Sequence, residues 1–166
     1  ALAFGPGNNL LRDDSVFDNI SIEMYNVGFG SATNLKVEWD YYDSLEGIRR
    51  VLPNLDNDFI ELNDPLNEGK RVLINKLLDN KQEIDYLLPI SVSAKPTYVD
   101  IPIIATTYVL TKLNNAVNKY ETKKFISVDA NYDIPFNVSY DDINNSKSIK
   151  RYILKLSISS YITEPS

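Results

Sequence analysis

The stretch DNDFIELND, residues 56–64, crowds Asp56, Asp58, Glu61 and Asp64 into one short run of hard oxygen ligands. Calcium sites collect such oxygens from a flexible loop, but an EF-hand loop needs Gly at its sixth position and Glu at its twelfth. Counted from Asp56, those positions hold Glu61 and Asn67, so the expected role is a solvated acidic loop. Paired carboxylates recur at Asp40 and Asp43 and at Asp141 and Asp142. Glycoside hydrolysis sets two carboxyls roughly 5–9.5 Å apart across a sugar cleft. Adjacency in sequence provides no such cleft, and acidic pairs are common at strand ends. A third cluster, NVGFGSATN at residues 26–34, puts two glycines and two asparagines where a phosphate cradle could sit. A phosphate loop joins a buried strand to a helix, with Gly-Lys-Ser/Thr or a third Gly at fixed spacing. Here LKVEWDYY follows, with a period of two rather than 3.6. The cluster therefore reads as a structural turn, carried by Asn26, Gly28, Gly30, Ala32 and Asn34, that contacts no ligand.

Histidine and cysteine are both absent from the 166 residues. Without them there is no Ser-His-Asp or Cys-His nucleophile system and no ordinary zinc, haem or blue-copper ligand set. No catalytic residue, metal ligand or cofactor site is predicted. The net charge of −6 argues against nucleic acid as a partner, because phosphate neutralisation needs a basic face. The charge is uneven: residues 1–100 hold 9 Lys and Arg against 17 Asp and Glu, residues 101–166 hold 8 against 6. The basic residues gather at Lys119, Lys123 and Lys124 and at Lys147, Lys150, Arg151 and Lys155. Either an anionic polymer or plain solvation of strand ends would account for them, and solvation is the simpler reading. The hydrophobic content of 43% in a chain this long supports one self-sufficient core. No apolar run approaches the ~20 residues of a membrane helix.

These residues must be positioned by strands. Residues 1–19 read as an irregular lead-in, rich in Gly, Pro and Asp. From 20 onward the period is two: Ile20, Ile22 and Met24 share one face, and after the turn Leu35, Val37, Trp39 and Tyr41 share another. The expectation is a β-hairpin, with Gly28 and Gly30 at positive φ, Ala32 beneath the turn and Asn34 bonded to neighbouring backbone. Trp39 is expected in the core. Residues 59–62 suggest a short strand, and Val72, Leu73, Leu77 and Leu78 allow a short helix within 66–79. Residues 84–92 alternate again, and Pro89 makes them an edge or bulged strand. Ile103, Leu110, Leu113, Val117 and Tyr120 give a helix over 103–120, although Thr106, Thr107 and Val109 weaken its start. A final hairpin spans 134–159, with a loop from Asp141 to Ser148.

The segment NVGFGSATNLKV resembles the N-x-G-x-G-x-A-x-N-[VIL]-x-V hairpin of a group of short bacterial proteins and is similar to one in CARDB-type immunoglobulin-like domains. IPFNVSYDDI, residues 134–143, resembles the V-x-Y-x-D-I ending of the first group, many of which carry an N-terminal membrane helix. Ser31 stands where the group often has Pro, and the long middle is foreign to the CARDB pattern. The resemblance covers about a quarter of the chain and brings over no catalytic residue. It implies an immunoglobulin-like domain. With the periodicity, it leads to a mainly β fold: an antiparallel β-sandwich domain over 20–162 with a helical insertion near 103–120. The expected function is a non-catalytic interaction or structural module, the soluble, extracytoplasmic ectodomain of a membrane-anchored bacterial protein. Its expected partner is a protein or surface polymer, and any membrane attachment lies outside this chain. The alternative is a carboxylate-dependent hydrolase, carbohydrate-active or metal-assisted.

Overall fold

The structure, a computed structural model, describes residues 1–7, 20–40, 59–63, 71–75, 81–117 and 126–162. The elements are β1 (Leu2–Pro6), β2 (Ser21–Asn26), β3 (Ala32–Trp39), β4 (Phe59–Asn63), β5 (Arg71–Asn75), β6 (Lys81–Leu87), β7 (Thr97–Asp100), α1 (Ile103–Val117), β8 (Ile126–Asp141) and β9 (Lys147–Ile162). Two antiparallel sheets, ordered β1-β2-β7 and β6-β3-β8-β9, form a β-sandwich with one inserted helix. A separate β4-β5 pair matches Phe59 with Asn75 through Asn63 with Arg71.

The alternating apolar residues meet in one core. Met24 and Val99 of the smaller sheet and Leu35, Val37, Ile134 and Val138 of the larger are all essentially solvent-free. Trp39 belongs there too, its ring 4.5 Å from that of Phe136. Phe4 closes one flank of the sandwich, edge-on to Phe136 at 5.5 Å and to Tyr152 at 4.9 Å. Gln82 closes the opposite flank: its amide donates to Tyr98 O and its carbonyl accepts from Asp100 N.

Helix α1 packs on β8 and β9. It buries Ile104, Ala105, Val109, Leu110 and Leu113, and sets Tyr108 edge-on to Tyr132 at 5.0 Å. Its β-branched start is held by packing, with Thr106 and Thr107 buried, while the hydroxyls of Thr107 and Thr111 bond back along the helix to Ile103 O and Thr107 O, both at 2.9 Å. Among the described residues no helix is long and apolar enough to cross a membrane.

Four expectations need correction. Residues 2–6 are a strand, not part of an irregular lead-in; pairing with β2, from Leu2 opposite Asn26 to Pro6 opposite Ile22, supplies order that local pattern does not. Residues 71–75, in a stretch whose mixed signals allow a short helix, are strand β5, where the partner β4 decides an ambiguous period; Leu77 and Leu78 lie outside the described residues. Strand β6 stops at Leu87, which is buried in place of the expected Leu88. Tyr86, Leu88, Ile90 and Val92 face solvent.

The fourth concerns the turn. β2 and β3 flank residues 27–31 but do not pair: β2 lies between β1 and β7, β3 between β6 and β8. The segment is a crossing from one sheet to the other, not a hairpin. Alternation in sequence marks strands without naming their partners. The final hairpin is present and longer than read, with sixteen residues in each strand. Residues 118–120, Asp43, Asp56, Asp58, Asp64, Lys119, Lys123 and Lys124 lie outside the described residues.

Candidate functional site

The turn residues singled out from sequence lie at one end of the sandwich, and Asn26 organises them. Its side chain is 4% exposed and every polar atom of it is used. Nδ2 donates to Gly30 O at 2.8 Å and to Leu87 O at 3.1 Å, and Oδ1 accepts from Gly28 N at 3.0 Å. Asn26 O accepts from Ile90 N at 2.8 Å, and Val27 N donates to Ala1 O at 2.9 Å. One amide thus ties the crossing to the end of β6, while backbone bonds tie it to the first residue and to the 88–92 turn. The bond to Leu87 O is fully buried and is the costliest to lose, since that carbonyl would have no water to turn to, while those to Gly30 and Gly28 are only part-buried.

What the glycines supply here is space, not backbone handedness. Neither Gly28 nor Gly30 has the positive φ expected of it. A Cβ on Gly28 would stand 3.1 Å from Asn26 Oδ1 and 3.2 Å from Ala1 N; one on Gly30 would stand 2.5 Å from Ile143 Cγ2. The left-handed residue is Asn34, at φ 49°. It is a bulge: Thr33 pairs with Asp141 and Lys36 with Ser139, so Asn34 and Leu35 of β3 stand opposite the single residue Tyr140 of β8. That extra residue is why Ala32 and Leu35, an odd number of positions apart, both point into the core. The Asn34 side chain donates to Asp141 Oδ2 at 2.9 Å rather than to the backbone expected from sequence.

The 142–146 turn meets this segment. Asp142 Oδ1 accepts from Asn144 N at 2.8 Å and Ser146 N at 2.9 Å, and Asn145 takes the left-handed φ of 57°. Together the two turns enclose a half-open cavity of about 240 Å³. Ala32 and Tyr140 are buried in its wall, Ser31 and Ser148 are half-buried, and Phe29 and Ile143 stand at its mouth. Phe29 is fully exposed and Ile143 is 71% exposed. Val27, Leu88, Ile90 and Val92 add further exposed apolar side chains on the same bonded turns. The end of the sandwich therefore carries exposed apolar side chains around a cavity that also has Asn26, Ser31, Asp142 and Ser148 in its lining.

All five sequence-predicted residues fall in this region. Asp141 and Asp142, weighed as a hydrolytic pair, both bond within the protein. Asp40 lies elsewhere, 3.5 Å from Arg151. Among the described residues no group of three or more acidic side chains could hold a metal ion. Ile143, Tyr140 and the 88–92 turn were not foreseen as neighbours of the glycine cluster. The available signal was chemical: Phe29 between two glycines and Ile143 between Asp-Asp and Asn-Asn are large apolar residues inside turn sequences, where burial is not expected. No known protein family, curated protein or solved structure matches the chain.

Proposed function

We propose that this chain is a non-catalytic interaction module whose apolar loop end takes a protein partner. The carrying observation is the mouth formed by the fully exposed Phe29 and the 71% exposed Ile143 over a cavity of about 240 Å³. That volume lies below the roughly 300–1,000 Å³ of small-molecule sites, which favours a surface contact over capture of a metabolite. The internal bonds of Asn26, Asp141 and Asp142 favour the same reading, because they engage the polar groups an enzyme would turn toward a substrate. Phe29 and Ile143, exposed side by side on one cavity, are apolar surface a contact could cover. The resemblance of the 26–37 and 134–143 segments supports placement on the outside of a bacterial cell through an anchor beyond this chain.

A photo-crosslinking residue at position 29, expressed in the source cells, tests this directly. A discrete adduct is expected from position 29 and none from position 129 on the exposed face of β8. The purified adduct partner should then bind the wild-type chain, and the F29S/I143S variant at least about tenfold more weakly, a loss of ~1.4 kcal/mol or more. Equal crosslinking from both positions, or unchanged affinity in the double variant, overturns the reading. Turnover on a glycan panel with Mg²⁺ or Ca²⁺, lost in D141N or D142N, would replace it with the carboxylate hydrolase.

A further inference from the structure

Strand β9 is the outer strand of the four-stranded sheet and pairs with β8 along its whole length, from Lys147 opposite Asp141 to Ile162 opposite Ile126. Among the described residues no strand lies on its other side. The opposite edge of the same sheet, β6, has seven residues, carries Lys81, Glu83 and Asp85 exposed, and is tied to β7 through Gln82. Those are the devices that keep sheet edges from pairing. β9 carries Lys147, Lys150, Arg151 and Lys155 exposed along its first nine residues, but after Lys155 it reads LSISSYI, with no charge, Pro or Gly. Its inward row of Tyr152, Leu154, Leu156 and Ile158 is only partly buried, and Ile149 and Ile153 are exposed on the outward face.

From this edge we infer that β9 pairs antiparallel with β9 of a second copy, joining two four-stranded sheets into one. The charges on the strand select the register. Full overlap of two antiparallel strands spanning 147–162 centres between Leu154 and Lys155. A pairing centred there would set inward residues against outward ones, because side chains alternate with period two. The nearest registers that keep the faces matched are centred on Leu154 and on Lys155. Centring on Lys155 opposes two ammonium groups, which is unfavourable directly across a ladder. Centring on Leu154 opposes Arg151 to Ser157, Lys150 to Ile158, Lys155 to Ile153 and Tyr152 to Leu156, with no like charges facing. Lys147, Lys150 and Arg151 thus each meet an uncharged residue, Lys155 is set diagonal to Arg151 and Lys155 of the second copy rather than directly across from a like charge, and the apolar row continues into the second copy.

Sedimentation equilibrium of the chain tests the pairing, with amide hydrogen exchange along β9 as a second measurement. A concentration-dependent dimer is expected, with protection over residues 149–159 rising with protein concentration. S157K, at an exposed position, places a charge opposite Arg151 of the second copy twice per dimer and should raise the dimer Kd about tenfold. R151E/S157K should restore it, and S157E should tighten it. The loop-end variant F29S/I143S should dimerise like wild type, which separates this inference from the proposed function. A chain that stays monomeric across its soluble range, an S157K variant that dimerises normally, or failure of the charge exchange to restore association overturns the proposal. Loss of the dimer in F29S/I143S assigns association to the loop end and overturns it as well.

Discussion

The crossing at residues 26–31 and the turn at 142–146 meet at the same cavity and hold themselves by the same means, a short side chain bonded to nearby backbone. They differ in depth. Asn26 is buried and bonds across to Leu87, sixty-one positions away, while Asp142 is half-exposed and bonds only within four residues. A hydrogen bond lost at the surface is replaced by water, but one lost in the interior leaves orphaned partners. The local turn shapes one loop, whereas the buried amide joins the two sheets of the sandwich. Similar turn chemistry in sequence can therefore carry very different structural weight.

The largest expected effect comes from Asn26→Ala. It strands the carbonyls of Gly30 and Leu87 and the amide of Gly28, and should cost about 3 kcal/mol in urea-induced unfolding. A loss no larger than that of an Asp142 variant would break the comparison. Next, Asn34→Ala should cost about 1–2 kcal/mol, since a Cβ-bearing residue without a side-chain amide must hold φ 49° and Asp141 loses its donor. Asn34→Gly should cost less, because the backbone term disappears. Asp142→Ala should cost about 1 kcal/mol, and its effect should stay local: amide exchange should speed up at residues 143–146 and not at 27–31.

A smaller effect depends on pH. Burial, and then the neighbouring Tyr140, raise the Tyr152 hydroxyl above the ordinary tyrosine value, and Tyr25 is raised by its hydrogen bond to Glu23. A raised folded-state pKa favours the protonated fold. This contribution is whole below the ordinary tyrosine pKa of ~10 and is lost as pH climbs through the folded value. Thermal melts should therefore fall in the alkaline range, and Tyr152→Phe should flatten part of that fall. A Tyr152→Phe profile identical to wild type would remove Tyr152 from the account. Smallest of all, Phe29→Ser should change stability by no more than about 0.5 kcal/mol, because the ring is fully exposed.

The strands around Ile22, Met24, Val37, Trp39, Ile134 and Val138 were legible because a half-buried strand writes its two faces into every second residue. Helix α1 was legible from Leu110, Leu113 and Val117 despite its threonines. Strand β1 was not: LAFGP has little pattern of its own and is ordered by β2. β5 was not, since five residues fit either period until β4 is beside them. At the candidate site, the cluster from Asn26 to Asn34 is visible in sequence as turn chemistry, but the reason for its glycines is not. The space around them is limited by Ala1 and Ile143, residues that only folding brings near, and by the Asn26 side chain that folding orients.

Composition and periodicity by themselves determined a chain without histidine or cysteine chemistry, with enough apolar residues for one core and with strands as its main element. Those properties depend on residue type and on neighbours a few positions away. Which sheet each strand joins, why Asn34 rather than a glycine takes the left-handed turn, and that Phe29 and Ile143 share one mouth were decided by tertiary structure. Each rests on contacts between residues far apart in the chain: Asn26 with Leu87, Asn34 with Asp141, Gly30 with Ile143. Local pattern carries no record of such pairs, because their energies arise only when the two sheets close on each other.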